Sequence, residues 1–284
     1  MPSMRTAATT ATDVACRVAG RRRVIRTARF VLRRARLDVR NDLRTNGESL
    51  LQEWVLALSP SGEVVNVIDV GANVGRWSRS MLAAARRAGR LGDLDLHAFE
   101  PSSYTFGRLS EALADERVSL KQVALCDRSG SATLHVVAPG AGTNSLHRPY
   151  REPAGTATEQ VATTTLDAFV AESGLGHVTL VKIDTEGHDL AVLKGARGLL
   201  ADQRISVTQF EYNHRWVYAR SFLCDAFELL EPFGYQVGKL TPRGVEFYPH
   251  WDTDLETFVE GNYVACTPRA AGRLPSIAWW KPAG

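Results

Sequence analysis

The sequence predicts a doubly wound α/β fold with a mostly parallel sheet, and two observations carry that expectation. From about residue 63 onward, short β-branched runs alternate with stretches whose apolar residues recur at three- and four-residue spacing. The 284 residues are 44% hydrophobic and 23% charged, enough for a sizeable core and unlike a disordered or disulfide-built chain.

The N-terminal segment stands apart. Residues 1–40 hold eleven arginines against Asp13 and Asp38, a balance of +9. The whole chain has 34 Lys and Arg against 31 Asp and Glu, a net +3, so the remainder carries 3 − 9 = −6. Residues 1–12 read as disordered. Residues 21–45 place Val24, Ala28, Val31, Ala35 and Val39 on one side with arginine at most others, which predicts an amphipathic helix. Such a helix suits a domain cap, a homodimer contact, or a surface for anionic lipid or an acidic partner. The expected organisation is a basic arm at 1–48, a body at 49–268 and a tail at 269–284.

In the body, strands are predicted at 64–70, 94–99, 118–125, 178–183 and 205–212, with helices at 76–88, 104–114 and 190–200 between them. A helix at 222–233 ends at Gly234, and residues 235–240 and 262–266 close the sheet, with an antiparallel strand among them. Residues 138–160 are rich in Gly and Pro and read as one long loop. Four widely spaced cysteines without a C-x-x-C pair exclude a dense disulfide framework and a cysteine zinc site. No run reaches the ~18–20 apolar residues of a membrane span. Together these predict a cytoplasmic protein.

The run Val67-Ile68-Asp69-Val70-Gly71-Ala72-Asn73-Val74-Gly75-Arg76 is a strand, a glycine turn and a helix start. Glycines let backbone approach a ligand, and a helix N-terminus offers free N–H groups. The spacing is G-x-x-x-G rather than the dinucleotide G-x-G-x-x-G. It suits a ligand with an amino group and no pyrophosphate, such as S-adenosylmethionine, with Asp69 helping to hold the ammonium. At the second strand's end, Glu100, followed by Pro101, is placed to accept from a ribose hydroxyl pair. At the end of the third strand, Ala124 and Asp127 fall where an adenine ring would lie. The run Lys182-Ile183-Asp184-Thr185-Glu186-Gly187-His188-Asp189 concentrates ionisable groups at a central strand end, and Glu211 follows the neighbouring strand.

These blocks, with Leu193-Lys194-Gly195 and Thr165-Leu166-Asp167, resemble the FkbM family of S-adenosylmethionine-dependent methyltransferases across about residues 63–215. The resemblance implies the class I methyltransferase Rossmann-like sheet and O-methylation of hydroxyls on sugars, polyketides or other secondary metabolites. It says nothing about the arm or the residues beyond about 240. The expected cofactor site is Asp69, Gly71, Asn73, Gly75, Glu100, Pro101, Ala124 and Asp127. Taking the acceptor's proton falls to one of two arrangements. Either His188 or His214 is a general base beside Asp184, or Asp184, Glu211 and Asn213 hold Mg²⁺ that acidifies the hydroxyl, an arrangement similar to catechol-type O-methyltransferases. His147, in the long loop, is placed to meet acceptor or adenine. The expected partner is a small-molecule hydroxyl acceptor, with no nucleic acid. The basic arm keeps a nucleic-acid methyltransferase as one alternative, and a non-catalytic S-adenosylmethionine-binding module is the other.

Overall fold

A computed structural model describes residues 4–151 and 153–281. The chain divides between Arg40 and Asn41 into two units. The first consists of helices α1 (Met4–Ala19) and α2 (Arg21–Ala35), separated by Gly20 at φ +85°. Residues 4–12, expected to be disordered, lie within α1. Residues 1–3 of that expectation fall outside the described residues. The amphipathic pattern of 21–45 stops being helical at Ala35, and Leu37 at φ +57° turns the chain.

The second unit begins with the loop 41–47 and α3 (Glu48–Leu56) and then alternates strand and helix. The elements are β1 (Val65–Val70), α4 (Arg76–Arg87), β2 (Leu94–Phe99), α5 (Ser103–Ala112), β3 (Val118–Lys121), β4 (Ala124–Leu125), β5 (Gly130–Val136), β6 (Ala157–Thr164), α6 (Leu166–Glu172) and β7 (Val178–Ile183). There follow α7 (Asp189–Lys194), α8 (Arg197–Ala201), β8 (Ile205–Tyr212), α9 (Leu223–Leu230), β9 (Gln236–Thr241), β10 (Gly244–Phe247), β11 (Gly261–Cys266), α10 (Pro268–Ala271) and β12 (Ser276–Ile277).

The main sheet runs β12-β10-β9-β11-β8-β7-β1-β2-β3. Strands β3, β2, β1, β7 and β8 are parallel, and β11 is antiparallel to both β8 and β9. This is the doubly wound class I sheet with its antiparallel closing strand. Its central strands are covered on both faces, so neighbouring residues feed opposite cores. Ile68, Val181 and Phe210 pack on one side with Phe169 and Phe227, while Val67, Leu180 and Val207 pack on the other with Trp77 and Met81.

Three local expectations are corrected. The strand at 118–125 is broken after Lys121, and β4 joins β6 and β5 in a separate three-stranded sheet. The predicted loop 138–160 shortens to 137–156, because β5 and β6 pair antiparallel from Gly130 opposite Thr163 to Val136 opposite Ala157. That hairpin buries little beyond Leu134 and Val161 against Ala124, so its alternation is too shallow to stand out in the sequence. The helix at 190–200 is two helices, interrupted at Gly195 and Ala196, where Gly195 lies so close to the neighbouring chain that a Cβ on it would stand 2.0 Å from the Cys126 carbonyl oxygen.

Candidate functional site

Strand register assembles the site. Val70 lies opposite both Phe99 and Ile183, and Ile183 lies opposite Phe210. The residues that follow, Gly71, Glu100, Asp184 and Glu211, therefore leave the sheet side by side at its carboxyl edge, where open α/β sheets bind ligands.

The glycine turn is fitted against the third of these. Gly71 adopts φ +76°, and a Cβ there would lie 2.0 Å from the Asp184 carbonyl oxygen. The Asp184 N–H donates to Val70 O at 3.0 Å, and the Gly71 and Ala72 N–H groups both donate to Phe99 O. Asn73 stands at φ +50°, an uncommon conformation for a side-chain-bearing residue.

Beside the turn lies a cleft of about 600 Å³, part of it open to solvent. Gly71, Asn73, Glu100, Pro101 and Ala124 line it, together with Phe99, Thr105, Leu125, the loop residues 141, 142 and 144–146, Asp184, Glu186 and His188. Glu100 accepts from the Asn73 N–H (3.1 Å) and the Ser102 N–H (3.0 Å). Burial pushes its carboxyl up to about 7, against those two bonds. The buried Asn73 Oδ1 and Thr105 Oγ1 have no protein partner. A cleft with an apolar slot, a carboxylate with spare lone pairs and two orphaned polar atoms fits an adenosine-bearing ligand.

Three residues expected at the cofactor are placed elsewhere. Asp69 is fully buried under the turn, accepting from Ser78 Oγ at 2.6 Å and ion-paired with Lys182 Nζ at 3.2 Å. Gly75 opens α4 at φ +76° and packs on Leu109, not on the cleft. The Asp127 side chain, also away from the cleft, accepts from Cys126 Sγ at 3.2 Å.

Lys182 is legible in the sequence only as one charge among several, yet it ties the floor together. Its Nζ lies 3.2 Å from Asp69, 3.5 Å from Asp184 and 3.4 Å from the Gly71 carbonyl. Burial opposes its charge, but Asp69, Asp184 and Glu48 outweigh that and hold its pKa above the usual lysine range.

A second cavity of about 670 Å³, part of it open to solvent, shares Ser145 and Glu186 with the cleft and is lined by His135, His147, Arg151, His214, Arg215 and Tyr218 among others. Ser145 Oγ donates to the Glu186 carbonyl at 2.8 Å and so pins the long loop between the two spaces. Glu186 adopts φ +56° and pairs with Arg215 at 2.7 Å; burial and Asp184 push its carboxyl up to about 8. His188 is buried between the cavities, its Nδ1 3.0 Å from His147 Nε2 and its Nε2 3.2 Å from Cys126 Sγ. Burial, then His147, pushes its imidazole down to about 4. His214 is exposed in the second cavity against the Tyr218 ring.

The expected metal set is not brought together as open ligands. Glu211 accepts from Asn41 Nδ2 (2.8 Å) and Asn213 Nδ2 (2.5 Å), while Asn213 Oδ1 accepts from the Arg215 N–H and caps the turn His214–Val217. Asn213 Oδ1 is thus already engaged in that cap, and the Glu211 carboxyl is pushed well above its ordinary range, first by burial and then by Asp184. The donor set does not fit Mg²⁺, and among the described residues no cluster of three or more His, Cys, Asp or Glu is placed to hold a metal ion.

A family model described as the methyltransferase FkbM domain matches residues 69–237, more than half of the chain. The chain is 27% identical over 203 residues to 2-O-methyltransferase NoeI of Sinorhizobium fredii, covering 63% of this chain and 76% of that protein. Among solved structures, similarity extends to a precorrin-6y C5,15-methyltransferase from Geobacter metallireducens (TM-score 0.38, 13% identity, 77% of this chain and 88% of that one). Aeropyrum pernix fibrillarin in complex with S-adenosyl-L-methionine is also similar (TM-score 0.38, 12% identity, 75% of this chain and 76% of that one).

Proposed function

The chain belongs to the FkbM methyltransferase family and is an S-adenosylmethionine-dependent methyltransferase, and from that premise we propose that it methylates a hydroxyl oxygen of a small-molecule acceptor. The observation that carries this reading is the second cavity: it adjoins the cofactor cleft across Ser145 and Glu186 and is lined by the His147 imidazole. The name of the relative NoeI, a 2-O-methyltransferase, agrees with it.

S-adenosylmethionine supplies an electrophilic methyl group on its sulfonium. Glu100 would accept from the ribose hydroxyls with its remaining lone pairs, and Asn73 Oδ1 and Thr105 Oγ1 would take polar edges of the ligand. Asp184 lines the cleft and is partly exposed, whereas Asp69 is committed to Lys182 and Ser78. The ammonium is therefore assigned to Asp184.

The acceptor's proton goes to His147. Cys126 donates its thiol hydrogen to Asp127, so His188 Nε2–H donates to the sulfur and His188 Nδ1 accepts from His147 Nε2–H. This assignment of hydrogens leaves His147 Nδ1 as the acceptor, in a ring whose charged form burial disfavours. His188, expected as the base, instead orients it, and Asp127 anchors the far end. Bound S-adenosylmethionine would supply the methyl group and leave as the neutral thioether, while His147 would take the proton given up by the acceptor hydroxyl.

The test is mass spectrometry with methyl-labelled S-adenosylmethionine against panels of sugar and polyketide hydroxyl compounds. An alkali-stable methyl ether is expected, and His147→Ala should lower turnover by ~10²–10⁴-fold with cofactor affinity retained. Full turnover in that variant, or labelling only at nitrogen or carbon, overturns the proposal.

A further inference from the structure

We propose that helix α2 is a docking surface for an anionic lipid bilayer, lying in the plane of the interface. The helix reads RRRVIRTARFVLRRA, with seven arginines and no acid, and none of its residues is buried. At about 100° per residue, Val24, Ile25, Ala28, Val31, Leu32 and Ala35 fall within an arc of about 120°. Six of the arginines fall within about 140° on the other side, with Phe30 among them, while Arg21 stands at the helix start on the apolar arc.

A helix of 15 residues in water is marginal without something against its apolar face. In the structure Ile25, Val31 and Leu32 on that arc are 40%, 59% and 54% exposed. The occupant must cover that stripe and also neutralise a dense row of cations. A second copy would supply the apolar cover but bring another seven arginines beside the first seven. A nucleic acid would neutralise the arginines and leave the stripe in water. An anionic bilayer does both, since acyl chains receive the stripe while headgroups meet the guanidinium groups. At about 22 Å the helix is too short to span the ~30 Å hydrocarbon core, and no helix among the described residues is long and apolar enough to cross a membrane.

The experiment is flotation of the full chain with vesicles of phosphatidylcholine alone and of phosphatidylcholine with phosphatidylglycerol, paired with hydrogen exchange of residues 21–35. The expected result is at least tenfold more protein on the anionic vesicles, less at high salt, with protection of 21–35 appearing only when vesicles are present. Leu32→Ser, which leaves the charge unchanged, and the quadruple variant Arg22→Gln, Arg26→Gln, Arg29→Gln, Arg33→Gln should each reduce the bound fraction at least tenfold and leave S-adenosylmethionine affinity intact. Binding that is absent, equal on both vesicles, or insensitive to Leu32→Ser overturns the proposal. So does protection of 21–35 without vesicles, the result of a second copy or of the acidic body covering the stripe, and so does retention of RNA but not vesicles.

Discussion

Replacing Gly71 with alanine adds one methyl group and should be among the most damaging single changes in the body. The added Cβ would stand 2.0 Å from the Asp184 carbonyl oxygen, a backbone atom held in place by the Asp184 N–H bond to Val70. Alanine at φ +76° costs about 1–2 kcal/mol before any contact is counted. Relief of the overlap must pull the β1 and β7 ends apart by roughly an ångström, weakening that hydrogen bond and the packing around it for another ~1–3 kcal/mol. The expected loss is about 2–5 kcal/mol in urea unfolding, with S-adenosylmethionine binding lost in calorimetry. Gly107 supplies the control, because it lies inside α5 with no positive φ, and a methyl group added there would meet nothing within 4 Å. Gly107→Ala should stabilise by about 0.5–1 kcal/mol through helix propensity alone. If Gly71→Ala unfolds within 1 kcal/mol of the parent and binds cofactor normally, the fitted-turn argument is refuted.

Lys182→Met strands the fully buried Asp69 carboxylate and should destabilise by about 3–5 kcal/mol, with Asp69→Asn in the same chain restoring part of it; additive losses in the double variant would show that the pair is not coupled. Glu100→Ala should weaken S-adenosylmethionine at least tenfold in calorimetry, and unchanged affinity would remove Glu100 from the ribose. Glu100, Asp189 and Glu186 are pushed up to about 7, 7 and 8, each first by burial. Raised folded-state values mean stability fully present below the ordinary carboxylate range and lost as pH climbs through 7 to 8. The ligand-free urea midpoint should therefore fall between pH 6.5 and 8.5, and a rise would contradict that burial. Methyl transfer should survive EDTA without gain from added Mg²⁺, whereas loss restored by Mg²⁺ would return Asp184 and Glu211 to metal duty.

The legible parts of the site are those written into contiguous sequence. Gly71 and Glu100 end strands whose parallel pairing follows from their apolar runs, so a strand-end argument is enough to bring them together. The same argument misplaces Asp69, because it says that a carboxylate is near the ligand but not whether it faces up or down. The decisive fact, a lysine 113 positions away at the facing place in β7, is a matter of register. The same limit hides the role of Asn41, which packs its amide on Glu211 across the chain, and makes a capping Asn213 resemble a metal ligand. His147 reads as a loop residue without a fixed place because nothing local announces that Ser145 and His135 exchange backbone hydrogen bonds and fix that loop.

One contact makes the two halves of the site a single mechanical object. The Asp184 carbonyl that excludes a side chain from Gly71 belongs to the same turn that carries Glu186, whose own carbonyl receives the Ser145 hydroxyl. A displacement at the glycine turn therefore reaches the wall of the proposed acceptor cavity through three residues of backbone. Methyl transfer needs donor and acceptor held in line to within a fraction of an ångström, and separate supports for each would have to be aligned through the whole fold. With a shared support, Gly71 governs more than cofactor affinity. Milder changes on that path, such as Ser145→Ala, should lower turnover more than they weaken S-adenosylmethionine binding, because they loosen the acceptor wall and leave the cofactor floor on Lys182 untouched.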